Sequence, residues 1–438
     1  MTQSGVTPRL LNVEQFKRRI NRKDPVANIY RNAIDLNRFG NAISGQIVRD
    51  YNSIILSAVD DLRRIDLGVP TAGGGIVSPA SVQAQRLRVI LAQLKESLDG
   101  WANRSTAYAS AELQGLAELQ TEFVTDQIKL AITGGVADAR ELLPSQVNAL
   151  AQVNTVQVAP NFAASVAGID PTDLNFVLPG TGGFTLTAAQ GAAITLPNGD
   201  VVEKAFRGLA ESQAQRFNTI VRTGILTGEP TPQIARRLVG SLDFGQIAKT
   251  AQQQALAGGE LIKMADHQIM TVVRTSVQQV SNAASQQVYE ANGDITKKYR
   301  WLAALEARTC PICRNLDGKE YRYGKGPTPP AHFNCRCTTI AIIDYKGLGI
   351  DPPDWGVGPS IRASSTGQVK GNLTYGQWLA DPKNAKVKEE ALGKSRVPYF
   401  DKLSKKYGPQ EALARLIRED GSEVPLKILQ ERYGSANG

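Results

Sequence analysis

Apolar residues recur every three to four positions over most of the chain, and that period predicts a largely helical protein. Within residues 24–66, Ile29, Ala33, Ile34 and Leu36 fall on one stripe. Ile47, Ile54, Ile55, Val59 and Leu62 fall on a second. A Gly/Pro/Thr loop follows, and Ser78-Pro79 supplies a cap residue and a first-turn proline for a helix to about residue 98. Val82, Leu87, Ile90, Leu91 and Leu94 form its inward face. The next helix is expected over 106–132, with a break near Gly115 because of its length, and Gly134-Gly135 ends it. Further helices are expected over 201–226 and then to about Leu238, the latter capped by Thr231 and Pro232. Residues 243–291 read as helix in two pieces around Gly258-Gly259, stopped by Asn292-Gly293.

Elsewhere the period changes. Residues 295–302 alternate and carry β-formers, and TTIAII at 338–343 reads as a second strand. Residues 136–200 are poor in charge, with two short β-like pieces and an Asn198-Gly199 turn, and read as an inserted loop or hairpin. The Pro/Gly/Ser-rich stretch 344–368 reads as a linker or extended arm. Short helices follow at 385–392, 410–418 and 426–433. The expected fold is therefore α+β and mostly helical. A long-helix body carries a small β-sheet module, with extended arms at both ends. Four regions are expected: a helical region with a basic arm at 1–135, the insertion at 136–200, a module at 201–345, and a linker with a basic helical tail at 346–438.

Charge adds one feature. The net charge is +9 and the isoelectric point about 9.3, compatible with an acidic partner. Lys17, Arg18, Arg19, Arg22 and Lys23 cluster near the start. Between residues 383 and 406, eight Lys/Arg face three acids. The ordinary reading of both is a solvated surface; the functional one is contact with nucleic-acid phosphates or an acidic protein face. No apolar run reaches the ~18 residues of a membrane span. The first residues lack the apolar core of a signal peptide, so a cytosolic start is expected.

The candidate chemistry is confined to one stretch. All four cysteines (Cys310, Cys313, Cys335 and Cys337) lie close to His332 in the spacing C-x2-C-x18-H-x2-C-x-C. Two thiolates from a tight turn, joined by an imidazole and a thiolate from a second loop, match tetrahedral zinc. Five donors then compete for four places. Disulfides formed in an extracellular particle, or reduced thiols in a small core, are the other readings. A catalytic ion would want a nearby base, for which Glu306, Asp317 and Glu320 are the local candidates, Asp317-Gly318 reading more simply as a turn. His267 has no second histidine one turn away and reads as a surface or packing residue. Walker, G-x-S-x-G, G-x-G-x-x-G and H-E-x-x-H motifs are absent from the sequence.

In this stretch the chain resembles the phage head morphogenesis or minor head proteins typified by protein F of phage Mu. The carriers are Arg274-Thr275 and Asn282, a strand ending at Trp301, the run from Glu306 through Cys310, Cys313 and Asp317 to Gly318, and Pro330 to Cys337. The family usually has Asp where this chain has Glu306. The stretch from Gly228 to Leu238 and the tail from Thr374 to Arg396 are also similar to the family. The resemblance implies a low-copy structural protein of a tailed-phage head. It implies association with portal and major capsid proteins, contact with packaged DNA through the basic arms, and a role in assembly and DNA packaging or delivery. Assembly in a bacterial host cytoplasm and a final place in the virion follow from the same resemblance, which agrees with the lack of a catalytic set among the residues. Some relatives carry toxin or ADP-ribosyltransferase domains, so an enzyme is the alternative expectation. A zinc-stabilised DNA-binding protein acting outside any particle is a third.

Overall fold

The longest apolar stripes make the longest helices. A computed structural model of the chain describes residues 25–65, 82–131, 196, 198, 200–243, 258–349, 361–418 and 421–435. The basic arm at 1–23, the Ser78-Pro79 cap, the insertion up to residue 195 and the piece at 244–257 lie outside the described residues. Helix α1 spans Pro25–Arg63 and α2 spans Val82–Ala131, 50 residues without interruption. The expected separation into two helices, with a further break near Gly115, is thus corrected. The reason is local. Leu113, Leu116, Ala117, Gln120, Val124 and Ile128 stay buried at helical spacing on both sides of Gly115, so one face is held throughout.

Helix α3 spans Val202–Leu226, α4 Thr231–Val239 and α5 Glu260–Ala291. Thr231 is not the cap of α4. Pro230 holds that position, and Pro232 sits within the first turn, where its missing N–H costs nothing.

The described residues form two units, one within 39–112 and 200–274, the other within 25–38, 113–131 and 275–435. In the first, Trp101 stands edge-on to Tyr51 (5.4 Å) and Phe206 (5.8 Å), and its indole N–H donates to the Ile47 carbonyl at 3.2 Å. Ile43, Ile47, Ile55, Val59 and Leu62 of α1 are buried in the same unit.

The second unit carries the sheet. Strand β1 (Thr296–Leu302) lies between β2 (Glu320–Arg322) and β3 (Thr338–Ile343), antiparallel to both. Tyr299 opposes Tyr321 on one side, and Trp301 opposes Thr339 on the other. The expected strands are present, and β2 adds a short third. The cysteines are not all on loops, because a short helix α6 (Pro311–Leu316) carries Cys313. Tyr299, Tyr321 and Tyr323 stack beside the sheet, and Gly326 lies so close to Tyr321 and the Tyr299 hydroxyl that a Cβ would not fit.

The tail is more structured than its composition suggests. A single turn α7 (Tyr345–Leu348) follows β3. Where a linker was expected, β4 (Ile361–Ser364) and β5 (Gly367–Lys370) form a hairpin. Helix α8 (Tyr375–Ala380) starts with a reciprocal capping box between Thr374 and Gln377. Helices α9 (Ala385–Leu392), α10 (Val397–Tyr407), α11 (Pro409–Arg415) and α12 (Leu426–Tyr433) complete it. Tyr375, Trp378, Phe400, Leu403, Leu413 and Leu429 form one core that also contains Leu305 of the cysteine module. No helix among the described residues is long and apolar enough to cross a membrane.

Candidate metal centre

Cys310 caps α6. Pro311 follows at the first helical position, and the Cys313 N–H donates to the Cys310 sulfur at 3.3 Å. This turn places both sulfurs on one side of the helix start. The second arm runs from His332 to Cys337. The Cys335 N–H donates to the His332 carbonyl at 3.1 Å, closing the turn. Asn334 takes a left-handed backbone (φ 59), which asparagine tolerates better than most residues. Cys313, Cys335 and Cys337 are buried and Cys310 is half-buried.

The two arms meet at Cys313. Its sulfur is 3.6 Å from His332 Nε2 and 3.9 Å from the Cys335 sulfur. Donor atoms converge in two triads, Cys310–Cys313–His332 and Cys313–Cys335–Cys337, with Cys313 common to both. A tetrahedral zinc with thiolates at ~2.3 Å and imidazole at ~2.0 Å has S–S edges of about 3.8 Å and S–N edges of about 3.5 Å. The Cys313 distances match those edges. They are far from the ~2.05 Å of a disulfide, and all four cysteines are free thiols. The His332 ring is also oriented. Nδ1 lies 2.8 Å from the Phe333 carbonyl and donates to it, which turns Nε2 toward Cys313. All five residues expected from the sequence are therefore brought together, and the cluster has the donors and spacing to hold a metal ion.

The thiols and the ring also shift one another's proton affinities. Hydrogen bonding from Cys313, reinforced by His332, lowers the Cys310 thiol to about 5 against the pull of burial. Burial would raise Cys335, but bonds from Cys313, Cys337 and His332 hold it well below the ordinary thiol range. Burial alone would lower His332, yet its bonds to Cys310 and Cys335 raise it to about 11. Cys313 is pushed up by its bonds to the other three thiols, and Cys337 chiefly by burial. The thiols held toward the thiolate are thus Cys310 and Cys335, one in each triad, with Cys313 common to both.

The three acids considered as bases are engaged elsewhere. Glu306 pairs with Arg336 and Arg308, and Glu320 with Arg300 at 2.8 Å. Asp317 is fully buried at the far end of α6 and bonds Arg362 through both oxygens, at 2.7 and 3.0 Å. It also accepts from the backbone N–H groups of Ala303 and Tyr375, each at 2.6 Å. Arg362 in turn donates to the carbonyls of Ala303 and Leu373. Reading Asp317-Gly318 as a turn misses this role, and nothing in the local pattern around Arg362 announces a partner 45 residues away. Arg314 is a second such residue, buried between the Ala391 and Ala307 carbonyls at 2.8 Å each. His267 is exposed and lines an open cavity of about 720 Å³ in the other unit with Arg216 and Lys263. Of the tail cations, Lys388 pairs with Asp401 and Arg396 with Glu423, while Lys383, Lys386, Lys394, Lys405 and Lys406 are exposed.

Residues 215–340 match the family described as Phage Mu protein F like protein. The matched span contains the whole cysteine cluster, so the resemblance read from the motif holds there. The chain is 23% identical over 230 residues to the NAD(+)--arginine ADP-ribosyltransferase EFV of Enterococcus faecalis, covering 45% of this chain and 41% of that protein. It is 29% identical over 109 residues to an uncharacterized protein of Haemophilus influenzae, covering 22% of this chain and 24% of that one. The chain thus spans less than half the length of either relative. No solved structure matches.

Proposed function

We propose that this protein is a minor structural component of a tailed-phage head, acting near the portal in capsid assembly and in DNA packaging or delivery. The observation that carries the reading is the family match at 215–340, whose end coincides with the convergent cysteine and histidine donors. In this reading residues 201–345 are the head morphogenesis domain. Regions 1–135 and 346–438 serve as arms toward portal and major capsid proteins and toward packaged DNA, and several copies occupy each particle. The ion is zinc, drawn from Cys310, Cys313, His332, Cys335 and Cys337, and its role is to hold the fold. Exposed tail lysines support a sequence-independent contact with DNA phosphates, whose affinity falls steeply with salt. Mass spectrometry of purified virions tests the placement. The chain is expected among the particle proteins, and its absence from intact heads refutes the structural role.

The name of the Enterococcus relative favours a second reading, in which the chain is an arginine ADP-ribosyltransferase. Incubation with labelled NAD and arginine-rich acceptor proteins separates the two. Transfer of label to arginine supports the enzyme, and no transfer together with presence in the virion supports the head protein.

A further inference from the structure

Helix α5 contains a run of polar residues that ought to be costly. Thr275, Gln278, Asn282 and Gln286 are all buried, and they recur at intervals of three or four on one face. Buried polar side chains need partners, and here the second cysteine arm and β3 supply them. The Thr275 hydroxyl accepts the Asn334 N–H at 2.9 Å. The Gln278 amide donates to the Cys337 carbonyl at 2.6 Å, and the Asn282 amide donates to the same carbonyl at 3.4 Å. Gln286 donates to the Thr339 hydroxyl at 3.0 Å, and the Tyr289 hydroxyl donates to the Thr339 carbonyl at 3.2 Å.

These contacts bracket Cys335. The residue before it is fixed through its N–H and the residue two beyond through its carbonyl. Asn334 is the one described non-glycine residue with positive φ, and Thr275 holds its amide. The turn that aims Cys335 and His332 at Cys313 is therefore set from outside by the helix. The bonds from Thr275, Gln278 and Asn282 all use arm backbone, so none of the three depends on which thiols bind an ion.

We infer that Thr275, Gln278 and Asn282 are positioning residues for the metal arm, and that seating of the 275–289 half of α5 and occupation of the cluster by an ion are one coupled event. The inference rests on the metal reading proposed above. An ion fixes the arm, the fixed arm satisfies the buried stripe, and the stripe holds the helix on the sheet. Loss of the ion frees the arm and takes from Thr275, Gln278 and Asn282 the arm groups they bond, so the same half-helix loosens.

The test uses the full chain with Zn²⁺ as the probe, titrated in competition with a chromophoric chelator. Thr275→Val keeps the shape of the side chain and removes the acceptor, whereas Thr275→Ser keeps the acceptor. Thr275→Val is expected to weaken zinc binding on the order of 10-fold, the usual cost of losing an outer-shell partner, and Thr275→Ser to restore most of it. With Co²⁺ in place of zinc, the ligand-field bands of Thr275→Val should shift relative to wild type, a change that a general loss of stability does not produce. Amide exchange in residues 275–289 should quicken when the chelator strips the wild-type chain. Wild-type affinity and an unchanged Co²⁺ spectrum in Thr275→Val overturn the positioning role, while the metal reading stands. A wild-type chain that binds no zinc overturns both.

Discussion

Two polar centres lie at the two ends of α6 and differ in what completes them. At its C-terminal end Asp317 is finished by protein groups alone. Two backbone N–H groups and a two-pronged guanidinium saturate its oxygens, although it is wholly buried. At the N-terminal end, the Cys310, Cys335 and Cys337 sulfurs and the His332 ring all approach the Cys313 sulfur. A buried charge with a matched partner needs nothing further, whereas a set of like donors is one that a cation can complete. The Asp317–Arg362 pair joins the β4–β5 hairpin and the tail to the module, and in the metal reading proposed above the thiol cluster fastens the module's second arm.

The largest expected effect tests the unfinished centre. Cys313→Ser touches both triads and should abolish metal binding, with loss of stability on the order of 10 kcal/mol in apparent terms for a fold-holding zinc. Cys310→Ser and Cys337→Ser each touch one triad and should lose less. Chelator competition on the three variants reads the ranking, and equal losses in all three would break the shared-corner account.

The finished centre gives the next. Asp317→Asn removes the charge opposite Arg362 and should cost about 3–5 kcal/mol in urea unfolding, because a buried guanidinium is left uncompensated. The double variant Asp317→Leu with Arg362→Met should be less damaged than Asp317→Asn. Additive losses would mean that the pair acts as two separate residues.

A buried acid in the other unit sharpens the contrast. Asp266 has the Asn52 amide beside it where Asp317 has a guanidinium, and burial, only partly offset by Asn52, raises its carboxyl to about 7. The folded protein therefore keeps a proton that the unfolded chain releases near 3.8. Because the folded state binds more protons between these values, stability should fall as the pH rises from about 4 to about 7 and stay at the lower level above that. The effect is on the order of 4 kcal/mol at most. Asp266→Asn should flatten that part of the profile in urea unfolding at pH 5 and pH 8. A variant with an undiminished slope would assign the dependence to other groups.

How much of this the sequence reveals depends on the kind of interaction. Strands β1 and β3, helix α3 and helix α9 are legible because a repeating pattern and a stop signal mark each. The cluster is legible because cysteine is rare in this chain and its spacing follows from the donor geometry. Continuity of α2 through Gly115 is not, because a packed face overrides the weak local preference of one glycine. Helix α10 hides behind its lysines, though Tyr399, Phe400 and Leu403 fill the tail core. The hairpin hides for a different reason. Its anchor is Arg362, a single buried charge, and charge pairs across 45 residues leave no periodic trace.

The central claim is that the cysteine cluster is a fold-holding metal site. Elemental analysis of the purified chain combined with a thiol count tests it most directly. One zinc per chain is predicted, with the four cysteines recovered as free thiols after chelation in denaturant. A chain without metal whose cysteines are paired as disulfides would contradict it.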